Sequence, residues 1–346
     1  MFRFAAAAGL ILLLASGGAA ADSVTQPFGG HSDEVTVDNS AGGVRLAATF
    51  RAPAGKGPFP AVLLINGAGP QTRGAFERLA ARLLAYGIAS LDFDKRGCGG
   101  STGDLQTASL NDLIGDSTAL VAYLKTRADV NRAKIGVLGG SEGSLVAAAI
   151  AAKDHSLAFV VLLGVVAART DQLALYQWER EARAGGVTEA EIPKGREAMK
   201  QLYAAAIAAR TDEEARASGK RIFAPIVARG AVTQEQSDAL AAMVSSRQAR
   251  ERLAYDPATN LRAIRAHVLA MTGTRDLQIP ASVNFPPLRA ALAGNRDVTI
   301  LEPEGINHIL QKAKIGTIEE WSQLGPPFSD EASLETIAGW IQKRTR

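Results

Sequence analysis

The sequence predicts an α/β fold, with a mostly parallel central sheet, helices on both faces and an inserted helical cap. Along most of the chain, short apolar runs alternate with segments of helical periodicity, which is typical of strands buried on both faces. Between Gly164 and His267, about 100 residues show helical periodicity only, whereas a strand–helix–strand crossover needs about 30. This excess length predicts an insertion.

The first predicted elements are two alternating segments, 34–38 and 44–50, which flank a Gly-rich turn. They predict an antiparallel hairpin at the edge of the sheet. Buried runs and helices then follow in turn. The predicted parallel strands are 61–65, 88–93, 135–138, 159–163, 268–272 and 298–301, and helices are predicted near 75–86, near 110–126 and directly after Gly143.

The predicted cap spans residues 166–264 and interrupts a core made of residues 22–165 and 265–346. Its pattern is helical throughout and contains no convincing strand. The four helices are predicted at 173–184, 189–209, 212–227 and 234–255.

Residues 1–21 predict an export signal. Arg3 lies near the start, an apolar run extends to Leu14, and small residues precede Asp22. We therefore expect a periplasmic or secreted protein, with an uncleaved membrane anchor as the alternative. No later stretch reaches about 18 apolar residues, so we expect no stable membrane insertion after cleavage.

Composition excludes several classes of protein. Removing residues 1–21 leaves 325 of 346 residues and lowers the net charge from +3 to +2. The sequence contains no block of basic residues, so a nucleic-acid partner is not expected. A hydrophobic fraction of 47% argues against a disordered chain. The single cysteine, Cys98, allows neither an internal disulfide nor a zinc site of known spacing. No metal or organic cofactor is expected.

The nucleophile predicted by the sequence is Ser141. The motif Gly139-x-Ser141-x-Gly143 follows a buried strand and precedes a helix of small residues. This context is typical of a nucleophile elbow, in which a serine occupies a strained turn between strand and helix. The alternative is a tight glycine turn with a spectator serine.

A serine nucleophile needs a base, and the chain has only four histidines. His31 precedes the predicted hairpin, while His155 and His267 lie at the opposite end of the predicted strands. Only His308 follows the last strand, at the same edge of the sheet as Ser141. His308 is therefore the predicted base, with a surface loop histidine as the alternative.

The predicted acid, which orients the base, is Asp276. It follows the strand at 268–272, whereas its rivals Asp171, Glu302 and Glu304 lie after other strands. Asp276 is favoured because nucleophile, acid and base then occur in the chain order of the α/β-hydrolase fold. The alternative is an Asp that only caps the helix after Pro280.

The tetrahedral oxyanion needs two N–H donors. The backbone N–H of Glu142 follows the nucleophile directly, and the second donor is predicted in the loop 66–70. Ala68 is the expected donor, because Pro70 has no N–H. The glycine-rich segment 94–101 lacks the spacing of a phosphate-binding loop and predicts a structural turn, with Asp94 and Arg96 paired around it.

Three of these segments together resemble lid-bearing bacterial α/β-hydrolases of the esterase D and serine aminopeptidase-like type. Residues 66–73 are similar to the family's His-Gly-Ser-Gly-Pro loop, 94–104 to its Asp-Lys-Arg-Gly turn, and 139–143 to its Gly-x-Ser-Glu-Gly elbow. The pair Asn307-His308 with Gln311, and a terminal helix containing Trp340, also fit. The likeness spans 58–165 and 266–341, and the cap matches only in position.

The resemblance implies hydrolysis of carboxylic esters through an acyl-serine, with nucleophile, acid and base at Ser141, Asp276 and His308. Two positions depart from the family. Asn66 replaces a usual His, and Gly140 stands where His is frequent. Both changes affect the expected oxyanion loop and substrate entrance.

The predicted function is therefore that of an exported serine carboxylesterase acting on small esters. The same triad would serve an aminopeptidase, amidase or thioesterase, and a non-catalytic binding protein on the same fold is a further alternative. Aromatic and Met side chains of the cap are candidates for an acyl pocket, or for packing alone. They are Tyr176, Trp178, Met199, Tyr203 and Met243.

Overall fold

A computed structural model describes residues 30–346 of the chain. The predicted signal segment, 1–21, lies outside the described residues. The described chain divides into two compact units. The smaller comprises Ala168–Asp256, and the larger comprises residues 30–167 together with Pro257–Arg346.

The larger unit is built on an eight-stranded sheet. In chain order the strands are β1 (Gly30–Asn39), β2 (Val44–Pro53), β3 (Phe59–Ile65), β4 (Ala89–Phe93), β5 (Val130–Gly140), β6 (Phe159–Leu163), β7 (His267–Met271) and β8 (Val298–Leu301). Their order across the sheet is β1-β2-β4-β3-β5-β6-β7-β8. β1 and β2 pair antiparallel with their neighbours, and all other pairs are parallel. The predicted mostly parallel sheet with an antiparallel edge is confirmed.

The described chain contains twelve α-helices. They are α1 (Glu77–Ala85), α2 (Leu110–Thr126), α3 (Glu142–Lys153), α4 (Thr170–Ala184), α5 (Ile192–Ala208), α6 (Asp212–Ala228), α7 (Gln234–Met243), α8 (Arg247–Leu253), α9 (Ala258–Ala263), α10 (Ala281–Ala291), α11 (Ile318–Trp321) and α12 (Glu331–Thr345). None of these helices is long and apolar enough to span a bilayer.

Two layers of helices cover the sheet. The buried side chains of α1 and α12 pack in one hydrophobic cluster with alternate residues of the central strands, such as Val62, Leu64 and Leu138. Because successive side chains of a strand point to opposite faces, the intervening residues face the other side. Helices α2 and α3 contact β5 there. The sheet is thus buried on both faces, as the continuous apolar runs predict.

The smaller unit contains α4 to α8 and has its own hydrophobic core. The helix predicted at 234–255 is in fact two helices, α7 and α8, so that prediction is wrong. The break is explained by Ser246, whose side chain accepts a hydrogen bond from the N–H of Ala249 and starts a new helix. The predicted cap ended at residue 264, whereas α9 belongs to the larger unit.

Candidate active site

Ser141 occupies the sharp turn between β5 and α3. Its backbone has φ 54 and ψ −121, a conformation that is strained for any residue with a side chain. The turn is held because the N–H of Ser141 donates to the carbonyl of Leu163 over 2.9 Å. A Cβ on Gly139 would lie 2.0 Å from the carbonyl oxygen of Gly143. Only glycine permits so close a crossing of strand and helix.

His308 and Asp276 form a hydrogen-bonded pair. Nδ1 of His308 lies 2.8 Å from Oδ2 of Asp276, and Asp276 is only 2% exposed. The other oxygen, Oδ1, accepts hydrogen bonds from the N–H groups of Gln278 and Ile279 at 3.0 and 2.8 Å. The carboxylate is thus fixed through both oxygens. It holds the proton of a neutral His308 ring on Nδ1 and leaves Nε2 to act as a base.

A buried amide network fixes the loop that carries His308. The side-chain oxygen of Asn307 accepts from the N–H groups of Ile309 and Gln311 at 3.1 and 2.9 Å, and its amide nitrogen donates to Oε1 of Gln311 at 2.7 Å. Gln311 in turn donates to the carbonyl of Gly325. Both amides are buried and bonded, so they hold the loop that carries His308 in place.

Gly164 connects the elbow with the histidine. It follows Leu163, the acceptor of the Ser141 N–H, and has φ 52. A Cβ at this position would lie 2.9 Å from Cε1 of His308 and 3.2 Å from Oδ2 of Asp276. His308 and Asp276 therefore meet at the carboxyl end of β6, beside the strand that leads into Ser141.

The hydrogen bonds within the described chain do not include one between the hydroxyl of Ser141 and His308. Such catalytic bonds are often long in unliganded enzymes and tighten when substrate binds. The structure thus joins Asp276 to His308 and brings the elbow close to both. The catalytic roles of the three residues remain a prediction.

The other histidines have different partners. His267 lies 2.8 Å from Asp297, and His155 contacts the carbonyl of Ala152. His31 was expected ahead of the hairpin but lies in β1, where an extended backbone pairs it with Ala52. Of the rival acids, Asp171 pairs with Arg169, and Glu302 and Glu304 are exposed.

The loop after β3 passes alongside the elbow. A Cβ on Gly67 would lie 3.3 Å from Cβ of Ser141, which places the following residue, Ala68, close to the nucleophile. Glu142 is the first residue of α3, and N–H groups of a first helical turn have no acceptor within the helix. The two residues predicted to supply the oxyanion donors, Ala68 and Glu142, therefore lie close to Ser141.

The family of the chain follows from comparison with known proteins. The family described as X-Pro dipeptidyl-peptidase (S15 family) matches residues 42–285, which is more than half of the chain. The chain belongs to the S15 peptidase family. The matched range includes β2 to β7, Ser141 and Asp276, whereas His308 lies beyond it.

Individual relatives of this S15-family chain match shorter stretches. An uncharacterised protein of Mycobacterium tuberculosis is 35% identical over 120 residues, which are 34% of this chain and 41% of that protein. Esterase EstD of Thermotoga maritima is 31% identical over 136 residues, 37% of this chain and 31% of the esterase. The chain thus matches less than half the length of these curated relatives.

Solved structures agree on the fold. An esterase of Pyrococcus furiosus is similar with a TM-score of 0.53 and 16% identity, and the match covers 92% of both chains. At this identity the likeness shows the fold alone. Together with the S15 family, it confirms the predicted α/β-hydrolase fold.

The segment after β4 differs from its prediction. Asp94 and Arg96 do not pair with each other. Asp94 accepts from the N–H groups of Arg73 and Gly100 at 2.8 and 2.7 Å, while Arg96 pairs with the buried Asp116 of α2 at 2.7 Å. The predicted pair is wrong because the fold brings other partners within hydrogen-bonding distance of each side chain.

Two residues beside the site were not predicted. Lys95 lies in the segment that the sequence predicts as a structural turn, and a charged residue directly after a buried strand is a signal that could have identified it. Trp321 stacks on His308 with ring centroids 5.8 Å apart and an interplanar angle of 20°. Nothing in the sequence indicates this stacking, because the position of α11 depends on the loop before it.

The predicted pocket residues lie within the smaller unit. Trp178, Met199 and Tyr203 are buried in its hydrophobic core, Met243 packs against that core, and Tyr176 is half-buried. Their positions favour the alternative in which they only pack. Among residues 30–346, no group of three or more His, Cys, Asp and Glu side chains could hold a metal ion.

Proposed function

We propose that the protein is a serine hydrolase and cleaves carboxylic esters of short or medium acyl chains through an acyl-serine intermediate. The observation that carries the proposal is the 2.8 Å bond between His308 and the buried Asp276, beside a serine in an elbow. A buried, doubly held carboxylate suits an imidazole that must become cationic during reaction. The match between this chain and a part of esterase EstD favours an ester as the substrate of this chain.

In the proposed reaction, the Ser141 hydroxyl attacks the ester carbonyl and Nε2 of His308 takes its proton. The N–H groups of Ala68 and Glu142 bind the oxyanion, and each such donor contributes about 10²- to 10³-fold to kcat. His308 then gives the proton to the departing alcohol. Water, activated by the same histidine, hydrolyses the acyl-serine and restores the enzyme.

A second candidate is hydrolysis of the amide bond that follows an X-Pro dipeptide. The description of the matching family favours it, and the same triad would serve. The two candidates differ in the leaving group, which is an alcohol in one case and an amine in the other. The substrate preference therefore decides between them.

A substrate panel separates the candidates. We expect kcat/KM to be higher for p-nitrophenyl acyl esters from acetate to decanoate than for X-Pro and aminoacyl p-nitroanilides. Comparable or faster turnover of an X-Pro anilide would make the protein a dipeptidyl-peptidase instead.

The nucleophile is tested by fluorophosphonate labelling of the folded protein. We expect wild type to be labelled on Ser141 and Ser141→Ala to lose both labelling and ester turnover. Ser32→Ala, at an exposed position of β1, is the matched control and should behave as wild type. Full turnover by Ser141→Ala would show that the nucleophile is assigned wrongly.

We also propose that residues 1–21 direct export and are then removed. The support is the sequence pattern of this segment alone. In a bacterial host, the chain is expected in the periplasm or medium with an N-terminus near Asp22, measured by intact mass. Recovery of a full-length chain from the membrane would favour the anchor, and recovery from the cytoplasm would contradict export.

A further inference from the structure

A buried lysine lies between the oxyanion loop and the elbow. Lys95 follows β4 and is 4% exposed. Its Nζ donates to the carbonyl oxygen of Gly67 over 2.7 Å and lies 3.3 Å from Oε2 of Glu142, which is itself 3% exposed. Burying two charges is costly, and such a pair is by itself weak evidence for stability. Its position beside the reacting centre points to another role.

We propose that Lys95 is a positioning residue that aims the oxyanion donors. The proposal rests on the proposed function. The carbonyl of Gly67 and the N–H of Ala68 belong to the same planar peptide, and in a trans peptide they point in opposite directions. By holding the Gly67 oxygen from the buried side, Lys95 directs the Ala68 N–H away from the interior. The N–H then faces the side on which a substrate carbonyl would bind.

The ammonium group also strengthens the donor. The positive charge of Lys95, which donates to the Gly67 carbonyl oxygen, polarises the peptide between Gly67 and Ala68. In a low-dielectric interior, hydrogen bonds made by the two ends of a polarised group strengthen one another. The N–H of Ala68 should therefore bind a developing negative charge more strongly than a neutral ground-state carbonyl. This preference is what accelerates a reaction, because it lowers the energy of the transition state selectively.

Lys95 is connected to the rest of the oxyanion hole as well. Its carboxylate partner, Glu142, supplies the other predicted donor through its own N–H. The backbone N–H of Lys95 donates to the carbonyl of Gln71, whose side chain donates in turn to the carbonyl of Ala68 at 3.0 Å. One residue thus holds the loop at both ends and contacts the residue that begins α3.

The test replaces Lys95 and separates positioning from folding. Lys95→Met alone leaves Glu142 in the interior without its cation, so the main variant is Lys95→Met with Glu142→Gln, which removes both charges. We expect kcat on the best ester to fall about 10²- to 10³-fold, with KM changed less than about threefold. The melting temperature should stay close to that of wild type. Rates are expressed per site that fluorophosphonate labels at completion, so that unfolded protein is not counted.

A second readout uses a trifluoromethyl ketone, which forms a tetrahedral oxyanion on the serine. Its inhibition constant should rise by about the same factor as kcat falls, because both depend on the same donors. Lys125→Met is the control. It removes a lysine that pairs with Asp154 at 2.6 Å far from the elbow, and it should change neither quantity.

The outcomes distinguish two failures. If the double variant keeps wild-type kcat and ketone affinity, Lys95 does not position the donors and the inference is wrong. The inference is also wrong if KM alone rises, because a ground-state role would produce that result. If Ser141→Ala keeps full turnover, the proposed function itself fails, whatever Lys95 does.

Discussion

At the scale of single residues, the structure contains two histidine–aspartate pairs with the same geometry. In both His308–Asp276 and His267–Asp297, Nδ1 lies 2.8 Å from a carboxylate oxygen. The pairs differ in burial, since the Asp276 side chain is 1% exposed and that of Asp297 is 34% exposed. A buried carboxylate is screened little by water and salt, so only the Asp276 pair can strongly stabilise a cation on its histidine.

We predict that Asp276→Asn lowers kcat about 10⁴-fold with little change in KM, because an amide no longer holds the imidazole in the tautomer needed for a base. Ester hydrolysis under steady-state conditions measures both constants. Asp297→Asn removes the carboxylate of the exposed pair and should leave kcat unchanged. An equal loss in the two variants would mean that burial does not distinguish the pairs.

At the scale of elements, local signals explain which boundaries were predictable. The predicted helix 110–126 coincides with α2, which begins with a capping box visible in the sequence. The Ser109 hydroxyl accepts from the N–H of Asp112 at 3.2 Å, and Asp112 accepts from the N–H of Ser109 at 2.8 Å. The predicted strand 135–138 is shorter than β5, because the first residues of β5 lack an apolar run and their register with β3 shifts between Phe59 and Ala61.

We predict that Ser109→Ala lowers the free energy of unfolding by about 1 kcal/mol, because α2 loses its N-cap. Urea unfolding followed by circular dichroism measures the change. Thr118→Ala is the control, since it deletes a hydroxyl that bonds to the carbonyl of Ile114 inside the same helix. Alanine is the better helix former, so the control should lose less than about 0.5 kcal/mol. Equal losses would contradict a specific effect of the cap.

At the scale of the whole molecule, a carboxyl group in the sheet makes stability depend on pH. Asp92 is buried in β4, and burial raises its pKa to about 6, although N–H groups of Gly74 and Phe93 donate to it. The folded protein therefore holds the proton more tightly than the unfolded chain, in which an Asp has its ordinary pKa of 3.8. Protonated Asp92 therefore stabilises the folded protein. This stabilisation is complete below about pH 3.8 and is lost as the pH rises through about 6.

We predict that Asp92→Asn gains stability relative to wild type as the pH rises from 4 to 7, by on the order of 2 kcal/mol. Comparing the two proteins at each pH removes the pH-independent cost of the substitution. Chemical unfolding at several pH values gives the difference. Asp297→Asn should show the opposite trend and at lower pH, because the hydrogen bond from Arg344 lowers the pKa of Asp297, so wild type loses this stabilisation only as the pH falls below about 3.8. If the difference in the free energy of unfolding between Asp92→Asn and wild type does not change with pH, the carboxyl of Asp92 does not titrate in this range.

The sequence by itself determined the fold class, the elbow and the chain order of the site. These features depend on periodicity and on glycine positions, both of which are local. The helical insertion was equally predictable, because its length exceeds any crossover. His308 was selected by elimination among four histidines, and its contact with Asp276 agrees with the expected sheet edge.

Only the tertiary structure decided which side chains meet across the chain. Lys95 binds the carbonyl of Gly67, and Trp321 stacks on His308. Asp94 accepts from the N–H of Arg73, and Arg96 pairs with Asp116, but the two side chains do not bind each other. The physical reason is that a buried polar group takes the partner that the packing brings within about 3 Å, and no local periodicity encodes that choice.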